Sequence, residues 1–148
     1  MRATGIAILL AGIALGTAHA AEDQLVGAAK VRAPDMLVIA GTRLKLSGVL
    51  PPDENAACKD GSGSTVPCTD AADVALGEIV GDAAVTCIKE RRLGHGYFLG
   101  HCRTADGVDP AEVLLSRGLL QLAPDSSLER YAKAAEAAKA AGAGLWGK

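Results

Sequence analysis

The chain has 148 residues, 15 Lys and Arg against 17 Asp and Glu, 49% apolar residues and 3% aromatics. That length fits a single domain, and a charged fraction of 22% is too ordinary for a wholly disordered chain. A net charge of -2 excludes a nucleic-acid binder that relies on an overall basic charge.

The first twenty residues are typical of a secretory signal peptide. Arg2 supplies a positive start, residues 6–15 form an apolar run, and Ala18-His19-Ala20 is a cleavage site of small residues. The apolar run is shorter than the roughly 20 residues that a membrane-spanning helix needs. We therefore predict a signal peptide over 1–20, a single domain over 21–148, and a periplasmic or secreted location.

Four cysteines follow the signal, and an even number in an exported protein favours disulfides over metal ligation. Four cysteines allow three pairings. Cys58 and Cys68 bracket a Gly- and Ser-rich stretch that a bridge would tie. Cys87 and Cys102 lie in β-like runs that we place on neighbouring strands. We therefore pair Cys58 with Cys68 and Cys87 with Cys102; a zinc site that adds a histidine to these thiols is the alternative, although the spacing matches no common zinc motif.

The first half of the domain is predicted to be mainly β. Val, Ile and Leu recur between short turns, and the alternation of Leu44 and Leu46 with charged neighbours is typical of a half-buried strand. Pro51-Pro52 ends this region. The predicted elements are strands at about 25–32, 36–40 and 43–49, followed by a loop over 53–68.

The second half is predicted to contain three helices and one more pair of strands. Apolar residues at helical spacing precede glycines that can end each helix. A capping residue or capping box stands at each predicted start. The helices are predicted to begin at Thr69 or Asp70, at Asp109-Pro110 and at Ser126 with Glu129; the strands lie at 83–88 and 97–102, and Leu145-Trp146 packs back on the barrel.

This order of elements is that of an OB-like barrel with added helices, and the chain also resembles the staphylococcal-type thermonuclease domain family. The resemblance covers nearly the whole predicted mature chain. It rests on stretches in a shared order: Asp35-Met36-Leu37, Leu44–Asp53, Ala75-Leu76 through Val85-Thr86-Cys87, Arg91–His95, Leu114–Leu119 and Gly144-Leu145-Trp146. It implies a mainly β fold with helices, namely a five-stranded OB-fold barrel with about three α-helices. It also implies calcium-assisted hydrolysis of phosphodiesters.

The residues at the family's catalytic positions depart from the family pattern. Lys45 and His95 stand where the family has arginines, and Asp53 stands where it has a glutamate. Asp35 keeps one metal-ligand aspartate, but Leu50 replaces the second. Calcium takes six to eight oxygen ligands, so we expect no cofactor. The resemblance thus gives Lys45, Asp53 and His95 as substituted catalytic positions and Asp35 as the remaining metal ligand.

The strongest local excess of positive charge lies in and around the predicted hairpin formed by the strands at 83–88 and 97–102. Arg91 and Arg92 are the expected ligand-binding residues there. Proteins resembling this domain also occur in bacterial exopolysaccharide production, so the expected partner is an anionic polymer, either nucleic acid or acidic polysaccharide. We predict an exported binding or structural module with a degenerate catalytic site; a weak phosphodiesterase is the alternative. The basic cluster comprises Lys89, Arg91, Arg92, His95, His101 and Arg103.

Overall fold

Nine strands and three α-helices follow one another along residues 23–147, the part of the chain that this computed structural model describes. The strands are β1 Gln24–Ala33, β2 Met36–Ile39, β3 Thr42–Leu46, β4 Val49–Leu50, β5 Ala57–Lys59, β6 Thr65–Pro67, β7 Ala84–Gly94, β8 Tyr97–Arg103 and β9 Gln121–Leu122. The helices are α1 Cys68–Val80, α2 Pro110–Ser116 and α3 Glu129–Ala141, with a 3-10 turn at Gly144–Trp146. The predicted signal peptide at 1–20 lies outside the described residues. Within them, no helix has the length and apolarity that a bilayer crossing requires.

Five of the strands close into a barrel in the order β1-β2-β3-β8-β7. All neighbours are antiparallel except β3 and β8, which run parallel. Alternation decides which side chains fill the barrel: Leu44 and Leu46 are buried, whereas the alternating residues Arg43 and Lys45 point outward. The expected barrel with about three helices is confirmed.

Both predicted disulfides are confirmed. Cys87 and Cys102 are register partners on β7 and β8, and both side chains are buried inside the barrel. Cys58 on β5 bonds to Cys68 at the start of α1. The stretch predicted as a loop over 53–68 therefore contains a short β5–β6 hairpin, which its Gly- and Ser-rich sequence concealed.

Two predicted helix starts differ from the structure. Helix α1 begins at Cys68, one residue before the expected cap, and the capping box for α3 does not form. Leu128 is the N-cap of α3, and the Ser126 hydroxyl is buried without a hydrogen-bond partner. Asp109 does cap α2 as predicted, since its Oδ1 accepts from the backbone N–H groups of Ala111 and Glu112.

The C-terminal turn packs against the end of α2. Leu145 donates its backbone N–H to the carbonyl of Gly118 at 2.9 Å, and its side chain packs against the core. Trp146 stays 36% exposed, so it is less buried than predicted. Gly118 and Gly144 both have positive φ, and a Cβ on either one would clash with the backbone of the other segment. The two glycines thus permit the tail to dock closely.

Candidate functional site

A two-stranded arm forms where β7 and β8 run on to their connecting turn. β7 extends to Gly94, well past the predicted end at residue 88. The prediction stopped too early because bulges after Lys89 and Arg92 interrupt the alternation of side chains on which it relied. The register brings Arg92 opposite Phe98 and sets Arg43 of β3 beside Tyr97.

Each aromatic ring of this arm has one cation over its face. The Arg43 guanidinium lies 4.9 Å from the Tyr97 ring centroid, and Lys89 Nζ lies 5.1 Å from that of Phe98. We call this group the basic arm; it consists of Arg43, Lys89, Arg91 and Arg92. None of the four forms a salt bridge with any residue in 23–147.

A groove of about 400 Å³ runs from the basic arm to the loop before α3. Among the residues that the sequence predicted for the site or the basic cluster, it brings together Lys45, Leu50, Arg91 and His101. Asp53 is exposed and lies outside the lining, and Arg92 and His95 belong to the arm beyond it. Other side chains that line the groove include Tyr97, Leu99, Glu90, Asp125 and Ser126.

Lys45 lines the groove, but its ammonium group already forms an ion pair with Asp35. Its Nζ lies 3.4 Å from Oδ2 of Asp35, and Asp35 is only 4% exposed. Oδ2 has no hydrogen bond of its own. Nearby, burial and the charges of Asp70 and Asp35 raise the pKa of Asp73, in that order of importance.

The calcium that the thermonuclease resemblance implies does not fit these residues. Leu50 lines the groove at the position where the resemblance would require an oxygen ligand, and the remaining aspartate, Asp35, faces the ammonium group of Lys45. Residues 23–147 contain no cluster of three His, Cys, Asp or Glu side chains that could hold a metal. A hard cation needs several oxygen ligands at once, so we derive no metal-dependent step.

Two side chains that line the groove each contain a buried polar atom without a hydrogen-bond partner, and sequence analysis did not identify them as a pair. His101 Nδ1 contacts the carboxylate of Glu90, while its Nε2 is buried and makes no hydrogen bond. The hydroxyl of Ser126 is also buried and unpartnered. The His101 ring centroid lies 6.0 Å from that of Tyr131. Gly48 lies close to both Ser126 and Tyr131, because a Cβ on it would lie 3.0 Å from Ser126 Oγ and 3.2 Å from the Tyr131 ring.

At the hydroxyl end of Tyr131, the buried Asp109 carboxylate and the partly exposed Arg130 and Glu112 form a hydrogen-bonded network. The Tyr131 hydroxyl donates to Asp109 at 2.8 Å, and Arg130 donates to both Asp109 and Glu112 at 2.9 and 3.0 Å. Burial, followed by the charge of Asp109, raises the pKa of Tyr131 well above its usual range. We call this network the helix corner, because it holds α2 against α3.

Comparison with curated proteins identifies a relative along almost the whole chain. The succinoglycan biosynthesis protein ExoI of Rhizobium meliloti (strain 1021) is 31% identical over 142 residues, which are 95% of this chain and 74% of the relative. The chain belongs to the ExoI family. No family model matches it.

Proposed function

We propose that this protein is an exported binding module for an acidic polysaccharide, built on a thermonuclease-like OB barrel whose catalytic site is degenerate. The observation that carries the proposal is the basic arm, where four cations have no salt-bridge partner in residues 23–147 and two of them, Arg43 and Lys89, lie over aromatic rings. Unpaired cations next to aromatic rings suit a ligand that carries both negative charge and apolar C–H faces.

The ExoI relative supports a polysaccharide rather than a nucleic acid as the ligand. Its name assigns it to the biosynthesis of succinoglycan, and by extension we place this protein in the production of an exopolysaccharide. The net charge of -2 also fits a local basic surface better than general attraction to nucleic acid. Two disulfides are typical of proteins outside the reducing cytoplasm, which supports export to the periplasm or beyond.

A binding titration tests the proposal directly. The purified protein is titrated with a polyuronate at several salt concentrations by calorimetry, with single-stranded DNA of similar charge as the second probe. We expect salt-dependent binding of the polyuronate, weakened about tenfold or more in the variant Arg91→Gln/Arg92→Gln, with a shallower salt dependence because fewer ions are released.

The matched control removes the same number of charges elsewhere. Lys133 and Lys139 each pair with a glutamate on α3, far along the chain from the basic arm. The variant Lys133→Gln/Lys139→Gln is expected to bind as the unmodified protein does. Equal losses in both variants, or no binding of polyuronate at low salt, would reject the proposal. Calcium-dependent cleavage of the DNA, abolished by a chelator and by Lys45→Ala, would establish the phosphodiesterase alternative instead.

A further inference from the structure

Deepening the proposed function, on which this inference rests, we propose that the polysaccharide extends past the basic arm and crosses the outer face of β1, β2 and β3. These three strands contain four cations and no Asp or Glu. Asp35, in the turn between β1 and β2, is buried and faces Lys45. The outer face of the three strands is therefore basic, although the net charge of the chain is -2, and it attracts a polyanion locally. The four cations are Lys30, Arg32, Arg43 and Lys45.

Strand pairing places outward side chains of this face in one row. Lys30 of β1 is the register partner of Val38 on β2, and Val38 is the register partner of Arg43 on β3. Arg43 in turn pairs with Tyr97 of β8, and its guanidinium lies over that ring. We call these four residues the outer row. Lys30 and Arg43 are two strands apart, which corresponds to about 10 Å between their backbones at the usual strand spacing. The outer row thus continues the surface of the basic arm onto the barrel.

The outer row is accessible to a ligand. Lys30 and Arg43 are exposed, and Val38 between them is partly exposed. Neither cation forms a salt bridge with any side chain that the structure describes, so an anionic group that binds here displaces no internal partner.

The composition of the outer row favours a polysaccharide. Cations separated by an apolar side chain suit a polymer whose acidic groups are separated by the apolar C–H faces of sugar rings. A single-stranded nucleic acid instead needs a series of aromatic rings on which its bases stack, and within the outer row Tyr97 is the only aromatic residue.

Oligouronates of two lengths test this extension. A short oligomer can occupy the basic arm alone, whereas a long one can also reach Lys30. Calorimetry at about 0.15 M salt, where exposed charges more than about 8 Å apart are largely screened, measures both affinities. The unmodified protein is expected to bind the long oligomer more tightly than the short one. Lys30→Glu is expected to weaken the long oligomer about threefold to tenfold, which corresponds to one or two exposed ion pairs. Val38→Glu, which places a negative charge in the middle of the outer row, is expected to act in the same way.

The matched control reverses the charge of another exposed lysine on a strand. Lys59 lies on the β5–β6 hairpin, which forms a sheet separate from the barrel. Lys59→Glu is expected to bind both oligomers as the unmodified protein does.

The results that would contradict the inference are distinct from those that would contradict the proposed function. Equal affinity for the two lengths, or equal losses in Lys30→Glu and Lys59→Glu, would limit binding to the basic arm and leave the proposed function intact. A loss in Lys30→Glu that is as large for single-stranded DNA as for the long oligouronate would assign the outer row to polyanions in general and reject the inference. Failure of the short oligomer to bind would remove the proposed function, and this inference with it.

Discussion

Two polar regions lie on either side of Tyr131, and they differ in whether their buried polar atoms have hydrogen-bond partners. At the helix corner its hydroxyl, the Asp109 carboxylate and the Arg130 guanidinium satisfy one another through several hydrogen bonds. At the groove, on the ring side of the same tyrosine, His101 Nε2 and Ser126 Oγ have no partners. The hydroxyl of Tyr131 is thus hydrogen-bonded at one end of the side chain, whereas polar atoms near its ring have no hydrogen-bond partner.

This difference separates stability from binding in physical terms. A satisfied buried network adds to the free energy of unfolding, and removing one member exposes the rest to a desolvation penalty. Unsatisfied atoms reduce stability, and proteins keep such departures mostly at functional sites. The helix corner is therefore expected to respond to mutation through folding, and the groove through ligand binding.

The substitution Asp109→Ala is expected to have the largest effect on the free energy of unfolding and tests the contribution of the helix corner. It removes the cap of α2 and leaves Arg130 and the Tyr131 hydroxyl without their shared acceptor. Losing the cap costs about 1 kcal/mol and leaving the buried Tyr131 hydroxyl without its acceptor costs about 1–3. Because Arg130 is 37% exposed and stays solvated, we expect a total loss of about 2–4 kcal/mol. Urea unfolding followed by circular dichroism measures the loss.

Two variants calibrate that measurement. Tyr131→Phe deletes one hydroxyl and is expected to cost about 1–2 kcal/mol, while Ser126→Ala, which deletes an unpartnered hydroxyl, is expected to cost almost nothing. If Asp109→Ala is no more destabilising than Ser126→Ala, the distinction between the two regions is wrong.

The contact between the end of α2 and the C-terminal turn is a second stabilising feature, and it depends on the backbone of Gly118. Gly118→Ala is expected to cost about 2–4 kcal/mol: the left-handed backbone of Gly118 alone accounts for about 1–2, and its Cβ would also displace the tail at Ala143. Gly107→Ala is the matched control, because Gly107 has positive φ but open space around it. Thermal unfolding compares the two, and equal shifts in Tm would show that the docked tail contributes nothing.

Local sequence patterns predicted most of the barrel because strand alternation and helix capping depend on residues that are close together in the chain. Alternation at Leu44 and Leu46 fixed which face is buried, and Asp109-Pro110 marked a helix start that the structure keeps. The cysteine pairing followed from placing Cys87 and Cys102 on adjacent strands. The long β7 was missed because its bulges shift the side-chain period that prediction depends on.

The groove could be predicted only in part, since it is assembled from distant segments. Lys45 and Arg91 were identified by charge and by the resemblance to thermonuclease domains, and both line it. Ser126 and His101 line the same groove although they are distant in the chain, and no local pattern encodes this placement. Ser126 was instead interpreted as a helix cap, an ordinary role for serine before a helix, but the helix begins two residues later than that role requires.

An intermediate case sharpens the comparison, because Asp35 has an ionic partner but no hydrogen bond at Oδ2. Lys45→Met is expected to cost about 1–2 kcal/mol at neutral pH, less than a fully buried pair, since Lys45 remains about one-third exposed. The double variant Lys45→Met/Asp35→Asn is expected to regain most of that loss, which chemical unfolding of all four proteins in a double-mutant cycle measures. Additive losses would show that the two residues are not coupled.

The smallest expected effect concerns Asp73, whose Oδ1 is also buried without a partner. Its pKa is raised above 3.8 by burial first and by the charges of Asp70 and Asp35 next. The folded protein therefore holds this proton more tightly than the unfolded chain, so the group lowers stability as the pH rises from about 3.8 through the raised pKa. Asp73→Asn is expected to increase the neutral-pH stability by less than about 1 kcal/mol after solvent screening and to change nothing at low pH. Asp60 is the control of opposite sign: the Ser62 hydroxyl lowers its pKa, so Asp60→Asn should reduce stability at neutral pH, and thermal unfolding at both pH values distinguishes the two.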